Sequence, residues 1–461
     1  MKNYNMKKLV SVNPANGRHI EEFDQHSRQE VKSIIESAGK AQEKWGITAF
    51  GQRSELMYIV AETLRKDVDK YAGMITTEMG KPVKQSRAEI DKCAVACEYY
   101  AENAESFLAN EYIEAGGRKS YVAFRPLGLV LAVMPWNFPF WQVFRFAAPA
   151  IMAGNGVLLK HASNVTGSAL AIEELFRRSG APRDLFRTLK VPGSDVAYVI
   201  ENPEVKAVTL TGSVKAGRAV AEKAGAELKK TVLELGGSDP YIILGDADLD
   251  NALPVCVKSR MINGGQSCIA AKRFIVVKSK IAEFEKRFVD EMKKYKMGDP
   301  MDERNDLGPQ SMITLRDELH QQVMKSIGEG AECLLGGEIP VGEGAWYPPT
   351  VLARVGPGMP AFDEEVFGPV AAIIEADDES DAIRIANDSK FGLGAAVFTR
   401  DVDRGAYIAE NMIDAGNCFV NDLVRSDPRL PFGGTGHSGY GRELSYFGIR
   451  EFTNIKTVFV K

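Results

Sequence analysis

The chain has 461 residues, 45% of them apolar and 26% charged, with 62 acidic against 57 basic side chains and a formal net charge of −5. That length asks for two or three hydrophobic cores rather than one, and the composition is that of a water-soluble globular protein. There is no long basic run to hold nucleic acid, no apolar stretch of roughly 18 residues to cross a membrane, and no signal-like apolar core in the opening MKNYNMKKLVSVNP, so a cytoplasmic location is expected.

The first hundred residues carry helical periodicity, as in QEVKSIIESAGKAQEKW and RSELMYIVAETLRKDVDKYAGMITTEMG. Cys93 and Cys97 lie four apart on such a helix and share a face. The six cysteines form no CxxC pair, and the five histidines stand apart from them, which speaks against a zinc site or any other metal. Apart from Cys268, these cysteines are expected to be small buried hydrophobes. The segment EYIEAGGRKSYVAFRPLG is then expected to form a strand pair projecting from the body.

From residue 129 the pattern changes. LVLAVMP and GVLLK are expected as strands with a helix over about 139–152 between them, followed by the helix ALAIEELFRRSG, the strand FRTLKV, the strand AVTLTG, a helix from about Val214, and the strands TVLEL and YIIL. Continuous apolar strands alternating with helices imply a parallel sheet covered on both faces, a nucleotide-binding architecture. A second α/β region begins near 237, with strands in AAKRFIVV, AECLLGG, PPTVLARV, GPVAAIIEA, GLGAAVFTR and GNCFVN. The terminal EFTNIKTVFVK alternates like an edge strand and wants a partner.

Several stretches could carry chemistry. In AVTLTGSVKAG, Gly212 and Ser213 precede a helix start, either a phosphate site or an ordinary capped turn. In VLELGGSDPYIIL, Glu234 ends an apolar strand, either at the surface or as a buried carboxylate fit for general base work. In the loop MPWNFPFW, Asn137 is a turn residue or an amide donor to an oxyanion. Arg145 sits on the following apolar helix, paired or aimed into a cavity. Cys268, in NGGQSCIAAKRF, is a core residue or a nucleophile beside flexible backbone. DEEVFGPV and PFGGTGHSGYGRE, taken alone, are an acidic turn and a glycine-rich loop.

In this order WNFP, the GSxxxG turn, LELGG, GQSC, EEVFGPV, PFGGxxxSGYGRE and the opening SVNPANGR resemble the aldehyde dehydrogenase superfamily, from about residue 10 to 461. The match is closest to its short-form bacterial succinate-semialdehyde dehydrogenases. The resemblance implies the α/β aldehyde dehydrogenase fold. A Rossmann-type NAD(P)-binding domain spans 1–105 and 127–236, a second α/β catalytic domain spans 237–452, and a small β oligomerisation element is made of 106–126 and 453–461. It implies a homodimer or homotetramer.

Carried over residue by residue, Cys268 is the nucleophile and Glu234 the base that activates water on the resulting thioester. Asn137, with the Cys268 N–H, is the oxyanion site. Lys160 matches the adenosine-ribose lysine, Gly212 and Ser213 the pyrophosphate contact, Glu365 and Phe367 the nicotinamide contacts, and Trp136 lines the cofactor cleft. Glu443 matches a carboxylate linked to proton movement. Relatives that prefer NAD often carry an acid where KHAS places Ser163, and serine beside Lys160 tolerates a 2′-phosphate, so NADP is favoured over NAD. Where many relatives carry a relay lysine, this chain has Phe146.

The resemblance places Arg145 in the aldehyde tunnel, where it would take the far carboxylate of succinate semialdehyde, with Trp141, Gln142 and Ser426 completing the walls. The second arginine of the longer enzymes is replaced by Ile262, with Arg260 two residues earlier; Arg425 or Arg429 could stand in. Other ω-oxo acids such as glutarate semialdehyde, and small neutral aldehydes, remain alternatives of substrate. The base Glu234 counts against a CoA-acylating enzyme. A binding or structural protein would be free to lose Cys268 or Glu234, and both are present.

Overall fold

The structure, a computed structural model, describes residues 8–461. It is built on two mostly parallel sheets. The first sheet runs, from one edge, Gly439–Tyr440, Lys230–Glu234, Val205–Thr211, Leu129–Met134, Gly156–His161 and Phe186–Thr188. Its strands are parallel except for the first, which pairs antiparallel with Lys230–Glu234. Gly156–His161 is buried at every position, as the unbroken run GVLLKH requires of a strand covered on both faces. One cover is the helix Trp141–Met152, whose twelve residues are all buried. The long helix Val83–Phe107 packs across it and across Phe50–Lys66 and Val68–Met79.

The second sheet runs Glu332–Leu335, Thr350–Ala353, Val370–Ala376, Arg273–Val277, Pro240–Ile243, Gly394–Phe398 and Asn417–Val420. All its pairs are parallel except the antiparallel edge strand Glu332–Leu335. Thr453–Val460 pairs along its whole length with Lys119–Pro126, and Glu111–Tyr112 completes a three-stranded sheet. Ile455, Phe459 and Tyr112 are exposed on it. None of the helices among the described residues is long and apolar enough to cross a membrane.

Two features differ from the expected organisation. A hairpin, Lys8–Val12 with His19–Asp24, precedes the first helix, and the NPANGR stretch supplies its turn. More consequentially, the chain does not stay in the second α/β region until 452. It returns at Gly439–Tyr440 to extend the first sheet, and the helix Ser445–Glu451 packs on Val83–Phe107 and Trp141–Met152. Without that return Lys230–Glu234 would be a bare edge. The contact is close enough that a Cβ at Gly439 would stand 2.0 Å from the Leu233 carbonyl oxygen. The return carries Glu443 under Glu234.

Candidate active site

In a parallel α/β sheet ligands gather at the carboxyl ends of the strands. Here Leu129–Met134 is followed by Trp136 and Asn137, Val205–Thr211 by Gly212 and Ser213, and Lys230–Glu234 by Leu235 and Gly236. With Gln142, Cys268, Leu315, Glu318, Glu365 and Phe367 these residues line a cleft of about 300 Å³. A second cavity, of about 330 Å³, takes Phe138 and Trp141 in its wall, with Gln85, Ala88, Glu89, Lys92, Met261, Ile262 and Tyr295. The segment from Trp136 to Gln142 thus separates two hollows.

Cys268 is held by a backbone that turns the wrong way for most residues. Asn263, Gly264 and Gly265 have φ of 52°, 61° and 74°, a left-handed run that glycine and asparagine tolerate best. A Cβ at Gly265 would lie 1.9 Å from the Gly368 carbonyl oxygen. The glycine before the cysteine is therefore needed for the loop bearing Glu365 and Phe367 to close on it, not only for access by substrate and cofactor. Asn263 Nδ2 donates to the Asn137 carbonyl at 2.7 Å and the Gln266 carbonyl at 3.1 Å, and Asn137 Nδ2 donates to the Gln266 carbonyl at 3.1 Å. An amide has two N–H groups, so Asn137 keeps one while the other locks it to the cysteine loop.

Behind the thiol stands a second set of contacts. Lys272 Nζ donates to the carbonyls of Ser267 (3.0 Å) and Cys268 (2.6 Å) and lies 3.9 Å from Glu365. Glu365 Oε1 accepts from the Gly237 N–H at 3.0 Å. A Cβ at Gly236 would stand 2.3 Å from Glu365, and one at Gly237 would stand 2.8 Å from the Cys268 carbonyl oxygen. The LELGG, GQSC and EEVFGPV motifs are thereby three sides of one contact.

The electrostatics favour neutral forms. Burial pushes the Cys268 thiol up to about 12, with Arg145 and Lys272 pulling the other way. Glu234 is 1% exposed, and neither carboxylate oxygen has a hydrogen-bond partner. Burial raises it well above the usual carboxylate range; Arg145 opposes the shift and Glu443 adds to it. Among the described residues no cluster of three or more His, Cys, Asp or Glu is placed to hold a metal.

Arg145 is where the structure departs most from expectation. It lines neither hollow. Its guanidinium is buried, forms an ion pair with Glu443, donates to Thr211 Oγ1 at 3.3 Å, and lies 4.7 Å from the Phe432 ring centroid. The Glu443 contact is one of charge, without an aligned Nε–H bond. The physical reason is the return of the chain: Glu443 supplies a buried counter-charge that a tunnel position lacks, so the arginine turns inward. Nor do the substitutes reach the second cavity. Arg260 is 0% exposed and donates to the Gly265 carbonyl at 2.7 Å, while Arg425 and Arg429 are bound to Asp422 and Asp427. Phe146 packs edge-on against Phe452, centroids 5.4 Å apart.

Of the other expected wall residues, Gln142 lies in the Cys268 cleft with an unpartnered Oε1. Trp141 lines the second cavity, and its Nε1–H donates to Ser426 Oγ at 3.2 Å. The residues that residue-type reasoning missed are Asn263, Gln266, Lys272 and Lys92. A faint signal for Lys92 exists, since Gln85, Ala88, Glu89 and Lys92 fall at i, i+3, i+4 and i+7 on Val83–Phe107.

The cleft fits a dinucleotide. Gly212 is open on the cleft side, where a Cβ would meet only Leu210 at 3.7 Å. Ser213 caps the helix Val214–Ala226, leaving its positive end toward the cleft. Trp136 and Phe367 meet edge-on, 5.8 Å between centroids. Lys160 and Ser163 lie at the same strand-end edge but outside the cleft's immediate lining. Burial lowers the Lys160 pKa, an ammonium that an anionic ligand would stabilise.

A cysteine-centred cleft at the strand ends of an α/β sheet is what these two hollows and their dividing segment define, and the chain belongs to the aldehyde dehydrogenase family, whose model matches residues 2–458. It is 46% identical over 450 residues to the succinate semialdehyde dehydrogenase [NAD(P)+] of Escherichia coli, covering 98% of this chain and 97% of that one. It is also 46% identical over 459 residues to the succinate-semialdehyde dehydrogenase [NADP(+)] of Mycobacterium avium, covering 98% and 96%. Among solved structures, the succinic semialdehyde dehydrogenase of Streptococcus pyogenes in complex with NADP+ superimposes with a TM-score of 0.96 at 37% identity, covering 98% of this chain and 99% of that one.

Proposed function

We propose that the protein oxidises succinate semialdehyde to succinate with NADP in preference to NAD. The observation that carries the reading is the convergence of Cys268, Asn137 and the Glu365–Phe367 loop on one cleft, in a chain 46% identical end to end to enzymes named for that activity.

The residues divide the work as follows. Cys268 Sγ forms a bond to the aldehyde carbon as its proton leaves to solvent, and the free N–H of Asn137 with the Cys268 N–H holds the oxygen that becomes negative. A nicotinamide held by Trp136, Glu365 and Phe367 would supply the acceptor for the hydride of that carbon, which would leave a thioester on Cys268. Glu234 then takes a proton from water as the water oxygen attacks the thioester, and it passes that proton to the departing sulfur as the carbon–sulfur bond breaks, which returns the thiol. Gly212 and Ser213 would hold the pyrophosphate, Lys160 and Ser163 the adenosine ribose and its 2′-phosphate, and Trp136, Glu365 and Phe367 the nicotinamide end.

The division into a cofactor unit, a catalytic unit and a strand element formed by 106–126 and 453–461 belongs to the same proposal, with 439–452 reassigned to the cofactor unit. So do a homo-oligomer joined through that element and a cytoplasmic location. The exposed Ile455 and Phe459 on its strands support the assembly.

The test is the rate of NADPH formation with succinate semialdehyde against butanal, which has the same chain length and no carboxylate. A preference of roughly a hundredfold in kcat/KM is expected for a charge-assisted carboxylate contact. Equal rates would remove the acid aldehyde and leave a neutral one. A stronger response to glutarate semialdehyde would move the assignment to the longer ω-oxo acid.

A further inference from the structure

With Arg145 turned inward, the second cavity still holds a cation. Lys92 lies on its wall, half-buried, with Nζ 2.8 Å from Ser426 Oγ and 4.1 Å from the centroid of the Trp141 ring. No carboxylate stands within ion-pair distance of it among the described residues. The nearest on its own helix, Glu89, is fully engaged: one oxygen accepts from the N–H groups of Phe140 (2.8 Å) and Trp141 (2.9 Å), and the other pairs with the buried Lys81. A half-buried ammonium without a counter-ion is costly unless something anionic visits it.

We infer that Lys92 and Ser426 together form the site for the far carboxylate of the acidic aldehyde, with Trp141 as its floor. This deepens the proposed function and rests on it. The donor count fits. Lys92 has three N–H groups, of which Ser426 takes one. Ser426 Oγ accepts from both Lys92 and Trp141, so its own O–H is left to donate. Two lysine N–H groups and one hydroxyl are therefore left to donate to an incoming carboxylate. Gln85, Glu89 and Tyr295 share the remaining wall with Phe138, Met261 and Ile262, whose apolar surface suits the methylene chain, and Lys258 is exposed at the rim, where it adds positive potential. Because Trp141 and Gln142 are consecutive and face the two hollows, a substrate anchored at Lys92 extends past this segment toward Cys268.

The experiment compares wild type, Lys92→Met and Lys92→Arg on succinate semialdehyde and butanal at saturating NADP. In Lys92→Met the ratio of kcat/KM values, acid over neutral, falls by roughly ten- to a hundredfold, mostly through KM, as expected for one charge-assisted contact. Lys92→Arg keeps most of the ratio. A ratio in Lys92→Met within about twofold of a strong wild-type preference overturns the lysine assignment and leaves the proposed function standing. A wild type that does not distinguish the two aldehydes overturns the function and this site with it. A second measurement needs no cofactor: succinate should slow alkylation of Cys268 by iodoacetamide in wild type and not in Lys92→Met. Equal protection in both proteins would assign the carboxylate to another group.

Discussion

Arg145 and Glu443 form an ion pair sealed from solvent, with 2% and 4% of their side chains exposed, next to the unpartnered carboxyl of Glu234. Arginine at this position is thus placed to act on the base. Its charge counters the burial that raises Glu234, while Glu443 adds to the rise. Removing the arginine would leave two buried carboxyls facing each other. Arg145→Met should destabilise the fold by about 3–5 kcal/mol, the cost of orphaning a buried charge, and Arg145→Met/Glu443→Leu should recover much of that loss. Thermal or urea unfolding measures both. If the single and double variants are equally unstable, the pair is not what holds this region.

The same relationship fixes the sign of a pH effect. The charged form of Glu234 is the active base, so activity in thioester hydrolysis grows as pH rises through its pKa. Arg145 opposes the rise in that pKa, and its loss should move the acid limb of kcat to higher pH. Glu443→Gln removes a repelling carboxylate and should move it to lower pH. Shifts in one direction for both variants would mean that the limb belongs to another group.

Glu234→Gln should separate the two half-reactions. Acylation of Cys268 reduces one equivalent of cofactor per site, and hydrolysis then waits for a base that is gone. A rapid burst followed by turnover slowed by roughly 10²–10⁴-fold is the expected progress curve. A uniform slowing without a burst would place Glu234 at the first step alone. The thiol proton would then be its principal charge.

Gly265 offers a purely steric test. With φ of 74° and the Gly368 carbonyl 1.9 Å from where its Cβ would stand, Gly265→Ala cannot be absorbed by a side chain moving aside. The Glu365–Phe367 loop and the Cys268 loop would have to part. Cofactor affinity and acylation rate should both fall, while Gly212→Ala, whose Cβ meets only Leu210 at 3.7 Å, should disturb the protein fold far less. Cofactor titration of the two variants by fluorescence distinguishes them.

The parallel strands and the helices between them were legible because unbroken apolar runs and 3.6-residue periodicity are local signals. The motifs taken in order also single out Cys268 and Asn137, which the structure brings to one cleft, and Glu234, which it buries unpartnered. Two things were not local. Gly439–Tyr440 is a strand only because Lys230–Glu234 needs a neighbour, and nothing in SGYGRE states which sheet it joins. That return decides the ion-pair partner of Arg145, which the spacing to Asn137 places along the helix without giving the charge it meets. Lys92 escaped for the complementary reason: its helix is recognisable, but the face that meets Trp141 and Ser426 is set by packing between segments more than three hundred residues apart in sequence.

Lys92 also predicts how substrate preference changes with pH. Burial lowers its pKa to about 8, and the positive charge of Arg145, on the helix Trp141–Met152, pushes the same way; Cys93 and Glu89 on its own helix and Asp427 beside Ser426 push back. A lysine holds a carboxylate only while protonated, so the contact is complete well below pH 8 and fades as pH rises through it. Bound succinate semialdehyde stabilises the ammonium, which puts the change in the free enzyme's profile, in kcat/KM rather than kcat. The ratio of kcat/KM for succinate semialdehyde over butanal should therefore decline between about pH 7 and pH 9 in wild type. In Lys92→Arg, whose guanidinium does not titrate there, it should stay level. Comparing two substrates on one enzyme cancels the titrations of Cys268 and Glu234, which both aldehydes share. A parallel decline in wild type and Lys92→Arg would assign the pH dependence to a group other than Lys92.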